Sequence, residues 1–318
     1  MALKPKDRWI WDFWHIQHND THHLYYLQAS NSLGDSELRH RNATIGHATS
    51  VDLSTWTEHG TVLSPGGSGS VDATATWTGS IVRDDDGTWR MFYTGSTFPS
   101  PDTATNIEVI AMAVSTDLHT WTKDTSFALR ADPRWYETLG DSDWPEEAWR
   151  DPWVYRDEDG LWHMLITARA NNGESIDRGV VGHATSPDLD AWTVQPPITE
   201  PRHGFAHLEV FQKITLRGQD LVLFSAHDQV ISDERRSSGA GTGTWVAPWN
   251  EEIELDNAIN LSRANLYSGR IIDRAGEPVF LAFEHTDGAG PFVGGICDPI
   301  PVEIANDQLA LPSEAKIR

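Results

Sequence analysis

Cysteine is almost missing from this chain of 318 residues. Cys297 stands alone, so no intrachain disulfide can form, and a reducing, cytoplasmic location is the expectation. Positive charge is also scarce: 24 Lys and Arg face 47 Asp and Glu, for a net charge of −23. The clustered cations that a phosphate backbone requires are lacking, which argues against nucleic acid as a partner. There is no apolar run of about eighteen residues to cross a membrane, and Met1-Ala2-Leu3-Lys4-Pro5-Lys6 lacks the apolar centre of a secretory signal. No proline-rich or low-complexity linker divides the sequence, and matching patterns flank the Gly/Ser-rich run at 64–70. A single domain over 1–318 is expected.

What is present is a repeat. Ile45 to Trp56, Ile110 to Trp121 and Val181 to Trp192 align without gaps. Each reads as a short strand, a Ser-x-Asp-Leu turn and a Trp that opens the next strand. Before the second and third copies lie hairpins, Ile81 to Thr94 and Val154 to Thr167, each with alternating side chains around an Asp-Gly turn. Weaker hairpins run over Phe13 to Gln28, Val210 to Ser225 and Leu266 to Phe283, turning at Asn19-Asp20, Arg217-Gly218 and Ala275-Gly276. Five hairpins, each with room for two further strands, predict an all-β, five-bladed β-propeller of four-stranded antiparallel blades. A two-sheet sandwich fits less well, because it has no reason to repeat the Asp-Leu-x-x-Trp unit after each hairpin.

The repeat separates scaffold from candidate site. Trp56, Trp121, Trp192, Trp89 and Trp162 recur at equivalent positions and are expected to pack between blades. Trp11, Trp14, Trp77, Trp149 and Trp153 lie beside the first strand of a blade, where a propeller lines its channel, and are candidates for stacking on a ligand. The acidic runs at 84–86 and 157–159 read as turns, since neither has the further ligands of a calcium loop. His15, His18, His22 and His23 lack a His-Glu-x-x-His helix, and a strand would point them to opposite faces. No metal and no cofactor are expected.

Residues opening the five inner strands are Trp11-Asp12-Phe13-Trp14, Trp77-Thr78-Gly79-Ser80, Arg150-Asp151-Pro152, His207-Leu208-Glu209-Val210 and Ala264-Asn265-Leu266. Three of these segments carry an acid. One acid before an apolar strand is ordinarily a turn residue, but three at matching positions would converge at one end of the channel. Desolvation and mutual repulsion there would separate their pKa values, so that one carboxylate is ionised while another holds a proton. Glycoside cleavage needs that division.

Asp12 beside Trp11, the Trp77-Thr78-Gly79-Ser80 stretch, Arg150-Asp151-Pro152 and Glu209 resemble the propeller glycosidases of families 32 and 68, which include invertases, fructan hydrolases and levansucrases. The resemblance implies Asp12 as nucleophile, Glu209 as general acid and base, and Asp151 as transition-state stabiliser holding sugar hydroxyls with Arg150. It further implies that Thr78 orients Asp12, that Trp11 and Trp77 wall the pocket, and that an oligosaccharide is the partner. A retaining reaction would place Asp12 about 5 to 5.5 Å from Glu209. The sequence departs from family 32 in lacking Asn-Asp-Pro-Asn-Gly, in having Val210 after Glu209, and in leaving no room for a C-terminal sandwich. An inverting arabinofuranosidase or xylosidase like those of family 43 is the nearest alternative, followed by a sugar-binding propeller without catalysis. A phosphorylase would need a basic pocket, for which Arg202, His203 and Arg263 are the candidates.

Overall fold

A computed structural model describes residues 3–237, 241–261, 265–286, 290–305 and 308–312. Blade I consists of β1 (Arg8–His18), β2 (Thr21–Ser30), β3 (Thr44–Ser50) and β4 (Thr57–Leu63). Blade II follows with β5 (Ala75–Arg83), β6 (Trp89–Thr97), β7 (Ile107–Ser115) and β8 (Thr122–Leu129). Blade III has β9 (Trp149–Arg156), β10 (Trp162–Arg169), β11 (Gly179–Ser186) and β12 (Thr193–Gln195). Blade IV has β13 (Glu209–Leu216), β14 (Gln219–Ala226), β15 (Gly243–Pro248) and β16 (Ile259–Asn260). Blade V shows three strands among the described residues, β17 (Leu266–Arg274), β18 (Glu277–Glu284) and β19 (Ile300–Pro301). All pairings are antiparallel in sequence order, giving the expected five-bladed propeller.

Local chemistry places the turns. Asn19, Arg217-Gly218 and Ala275-Gly276 take positive φ, the left-handed backbone that matches a tight turn to the twist of the strands it joins. In the Ser-x-Asp-Leu turns, Ser115 Oγ accepts the Asp117 and Leu118 amides, and Asp117 Oδ1 accepts the His119 and Thr120 amides at 2.7 Å each. Ser186 and Asp188 repeat those four bonds, and Asp52 accepts the corresponding pair in blade I. This bonding fixes Leu53, Leu118 and Leu189 at φ of 59°, 63° and 65°. Left-handed backbone costs a branched side chain about 1–3 kcal/mol, and full burial of each Leu offsets it with a comparable gain.

Packing between blades follows the repeat. Trp121 meets Tyr25 edge-on at 5.7 Å, joining blades II and I, and Trp192 meets Phe92 at 5.4 Å, joining III and II. The ring closes where the N-terminal segment meets the last blade: Leu3 bridges Ile296, and the Gly295 amide donates to Ile10 O at 2.8 Å. Among the described residues no helix is long and apolar enough to cross a membrane.

Candidate active site

Every inner strand carries a β-bulge, and the five bulges carry or adjoin the site. The register of β1 slips at Asp12, of β5 at Thr78, of β9 at Asp151-Pro152, of β13 at Val210-Phe211 and of β17 at Ser268-Gly269. A bulge adds a residue to one strand and re-aims the side chains around it. Asp12, Asp151, Val210 and Ser268 accordingly have φ of 24°, 58°, 58° and 51°. At Gly79, beside the Thr78 bulge, a Cβ would collide with the Phe92 carbonyl, which accounts for the glycine in the Trp-Thr-Gly-Ser stretch.

Bulging removes ladder partners, and hydroxyl groups of the preceding blade replace them. The Asp151 amide donates to Thr94 Oγ1 at 2.8 Å, and the Val154 amide to Ser80 Oγ at 3.0 Å, both from blade III to blade II. The Ser268 amide likewise donates to Ser225 Oγ at 2.9 Å, and Gly269 to Thr244 Oγ1 at 2.8 Å. Buried amides are thus satisfied where the sheet cannot do it.

Each carboxylate is gripped differently. Asp12 accepts Thr78 Oγ1 at 2.9 Å on one oxygen and Ser268 Oγ at 2.5 Å on the other. Asp151 accepts Thr167 Oγ1 at 3.0 Å and has Arg150 Nε at 3.8 Å. Glu209 accepts Arg150 Nη2 at 2.7 Å and the Tyr267 hydroxyl at 2.5 Å. Arg150 is shared: it also bonds both oxygens of fully buried Glu108, at 3.1 and 3.2 Å, and lies 3.4 Å from Glu146.

Those surroundings separate the pKa values. Burial pushes Asp151 up to about 7 against the pull of Arg150, with help from the negative charges of Asp12 and Glu209. Burial also raises Asp12, although the Ser268 and Thr78 hydroxyls act against it. At Glu209 burial acts upward too, but the Arg150 charge and the bonds from Tyr267 and Arg150 outweigh it and hold the group below its usual value. Two of the histidines lining the cavity are kept neutral, His40 by burial and the Arg39 charge at about 3, and His207 by burial and the Arg150 charge well below its ordinary value.

The cavity that these groups floor has a volume of about 600 Å³, within the roughly 300–1,000 Å³ typical of small-molecule sites. Trp11, Asp12, Trp77, Thr78, Arg150, Asp151 and Glu209, expected from the sequence, all line it. Arg39, His40, Trp144, Glu146, His227, Tyr267 and His285 line it as well and were not anticipated, whereas His207 was named only within the strand-opening stretch 207–210. Most sit on the long connections between strands, where no repeat marks them. Tyr267 lies at the head of β17, just past the 264–266 segment expected to open blade V.

Several expectations are corrected. Trp14 and Trp149 are fully buried and stack on no ligand: Trp14 lies against Tyr25 at 6.1 Å, and Trp149 Nε1 donates to Leu129 O at 3.1 Å. Trp153 packs under the Arg270 guanidinium, 5.0 Å away, and does not line the cavity. His203 pairs with Asp256 at 2.8 Å away from the cavity, exposed Arg202 does not line it either, and Arg263 and Ala264 lie outside the described residues.

The family described as "Glycosyl hydrolases family 32 N-terminal domain" matches residues 3–275. No curated protein matches the chain. Among solved structures, an inulosucrase from Halalkalicoccus jeotgali bound to kestose superposes with a TM-score of 0.76 at 20% identity, over 98% of this chain and 90% of that one. A levansucrase from Gluconacetobacter diazotrophicus gives a TM-score of 0.75 at 17% identity, over 99% and 82%. A family 32 β-fructofuranosidase from Bombyx mori gives 0.71 at 17% identity, over 98% of this chain and 64% of that one. At these identities the likeness is one of fold.

Proposed function

The chain belongs to glycosyl hydrolase family 32, and from that premise we propose that it is a retaining enzyme that cleaves the fructosyl bond of short fructofuranosides, with water or a second sugar as acceptor. Three carboxylates from three blades, each bound to different hydroxyls and with one cation between Asp151 and Glu209, are the observation that carries this reading. The kestose bound to the superposing inulosucrase agrees with it.

In this reading Asp12, held by Thr78 and Ser268, attacks the anomeric carbon and forms a glycosyl ester. Glu209 gives its proton to the leaving oxygen and then takes one from the acceptor that breaks the ester. Asp151 and Arg150 bind ring hydroxyls as positive charge develops on the sugar. Arg150 holds Glu209 as the anion in the sugar-free site, which suits the second half of the cycle. The first half needs Glu209 protonated, and it gains its proton as sugar hydroxyls draw Arg150 away.

The test is product analysis on sucrose, inulin-type and levan-type oligosaccharides and an aryl arabinofuranoside, with carbon NMR to read the anomer released first. Retention on a fructoside is expected, and Asp12→Asn and Glu209→Gln should each lower kcat by about 10²-fold or more. Inversion, or turnover of the arabinofuranoside alone, would refute the proposal and favour the family 43 chemistry.

A further inference from the structure

On the outer strands of blade I a second group of chemistry-bearing side chains meets blade II, and none of it lines the sugar cavity. His47 of β3 is fully buried, while His59 of β4 and His119 of the blade II Ser-x-Asp-Leu turn are exposed. Ring centroids are 4.8 Å apart for His47 and His59, 4.9 Å for His47 and His119, and 4.8 Å for His59 and His119. One nitrogen from each ring can be chosen so that all three lie within 4.8 Å of one another.

The backbone brings them together by three separate devices. Gly60 pairs with His47 and Glu58 with Ala48, so His59 is the extra residue of a bulge, with Gly60 at φ 81°. His119 follows Leu118, whose left-handed backbone is fixed by the turn and whose carbonyl accepts the Tyr25 hydroxyl at 2.5 Å. Tyr25 also stacks on His47 at 4.5 Å, so one side chain steadies both members of the pair.

Comparison within the molecule separates scaffold from site. His23 and His47 stack at 5.2 Å with Nδ1 and Nε2 3.1 Å apart, and His163 and His183 in blade III repeat this at 5.2 Å and 3.0 Å. The stacked pair is therefore a recurring structural contact. In blade III its further partner is Asp157, whereas in blade I two more imidazoles surround it.

We propose that His47, His59 and His119 bind a divalent transition-metal ion of the zinc, cobalt or nickel class, clamping blade I to blade II. Imidazole suits these borderline ions, and three histidines leave a fourth position to water. The polar contacts already present fit such ligation. His47 Nε2 is engaged with His23, while its buried Nδ1 has no hydrogen-bond partner. His59 Nε2 is engaged with Thr49 Oγ1 at 2.8 Å, which leaves Nδ1 for a metal and orients the ring as an outer-shell bond does. Bond lengths of about 2.0–2.1 Å to zinc require the nitrogens to draw closer than 4.8 Å, and the two exposed rings are the ones able to turn.

Titration of the full chain, without an affinity tag, with zinc chloride followed by calorimetry should give one saturable site, and cobalt chloride should give the visible bands of a four-coordinate ion. His59→Ala and His119→Ala, both at exposed positions, should each weaken zinc binding about 100-fold and leave sugar cleavage unchanged. His183→Ala, which breaks only the blade III pair, should leave zinc binding intact. Absence of saturable binding, affinity unchanged from the parent in the His59 and His119 variants, or loss in the His183 variant would each overturn the assignment.

Discussion

Tyr267 and Ser268 are neighbours in the chain yet hold different carboxylates: the Tyr267 hydroxyl donates to Glu209 at 2.5 Å, and the Ser268 hydroxyl donates to Asp12 at 2.5 Å. The bulge in β17 makes this possible, because a regular strand would send consecutive side chains to opposite faces. Both bonds stabilise the ionised carboxylate, so removing either raises that carboxylate's pKa. Tyr267→Phe should move the alkaline limb of kcat/KM upward, where Glu209 must be protonated. Ser268→Ala should move the acid limb upward, where Asp12 must be ionised. Each should lower kcat/KM by about 10- to 100-fold, as expected for a hydrogen bond to a charged group. Profiles in which both variants move the same limb would contradict the assignment of roles.

The bulges also explain which parts of the molecule could be read from its sequence. Turn chemistry at Asn19, Gly87, Gly160, Gly218 and Gly276 is local, and three near-identical Ser-x-Asp-Leu units mark the outer strands, so blade number and order were legible. Asp12, Asp151 and Glu209 stood out as charges at the head of apolar strands. A bulge leaves no such mark, and it shifts the two-residue alternation of everything after it. For that reason Trp14, two residues past the Asp12 bulge, was expected at a ligand but belongs to the core. Blade V was read at 264–266 instead of 267–268 on the same account. Arg39 and Trp144 come from long connections whose path depends on the whole fold.

Backbone geometry at Asp12 makes a separate prediction. With φ at 24°, the residue sits where a Cβ is unfavourable and glycine is not. In a strand Gly is ordinarily about 0.5–1 kcal/mol less stable than Ala. Here the order should reverse, with Asp12→Gly melting above Asp12→Ala although both should be inactive. Thermal unfolding of the two variants side by side checks it, and a lower Tm for the glycine variant would remove strain from the account of this site.

Asp151 should make the sugar-free protein less stable as pH rises. Its pKa is about 7 in the folded chain against 3.8 for the ordinary carboxyl, chiefly through burial. A carboxyl whose folded pKa is raised contributes its full stability below the lower value, and that contribution is lost as pH climbs through about 7. The loss is on the order of a few kcal/mol at most, since each unit is about 1.4 kcal/mol. Asp151→Asn carries no ionisable group, so its Tm should fall less than that of the parent between about pH 4 and pH 8. Parallel Tm profiles would count against a protonated Asp151.

Arg150 joins stability to chemistry, and the two can be separated. Its guanidinium bonds both oxygens of Glu108, which is fully buried and whose pKa burial raises against the pull of Arg150. Arg150→Met would strand that acid, and breaking a buried pair from one side costs about 3–5 kcal/mol. Adding Glu108→Gln removes the stranded carboxyl, so the double variant should recover much of the lost Tm. It should not recover cleavage, because the cation beside Asp151 that bonds Glu209, and that the proposed reaction uses to hold sugar hydroxyls, is then gone. If activity returned along with stability, Arg150 would be a structural residue, and the cation between Asp151 and Glu209 would have no part in the reaction.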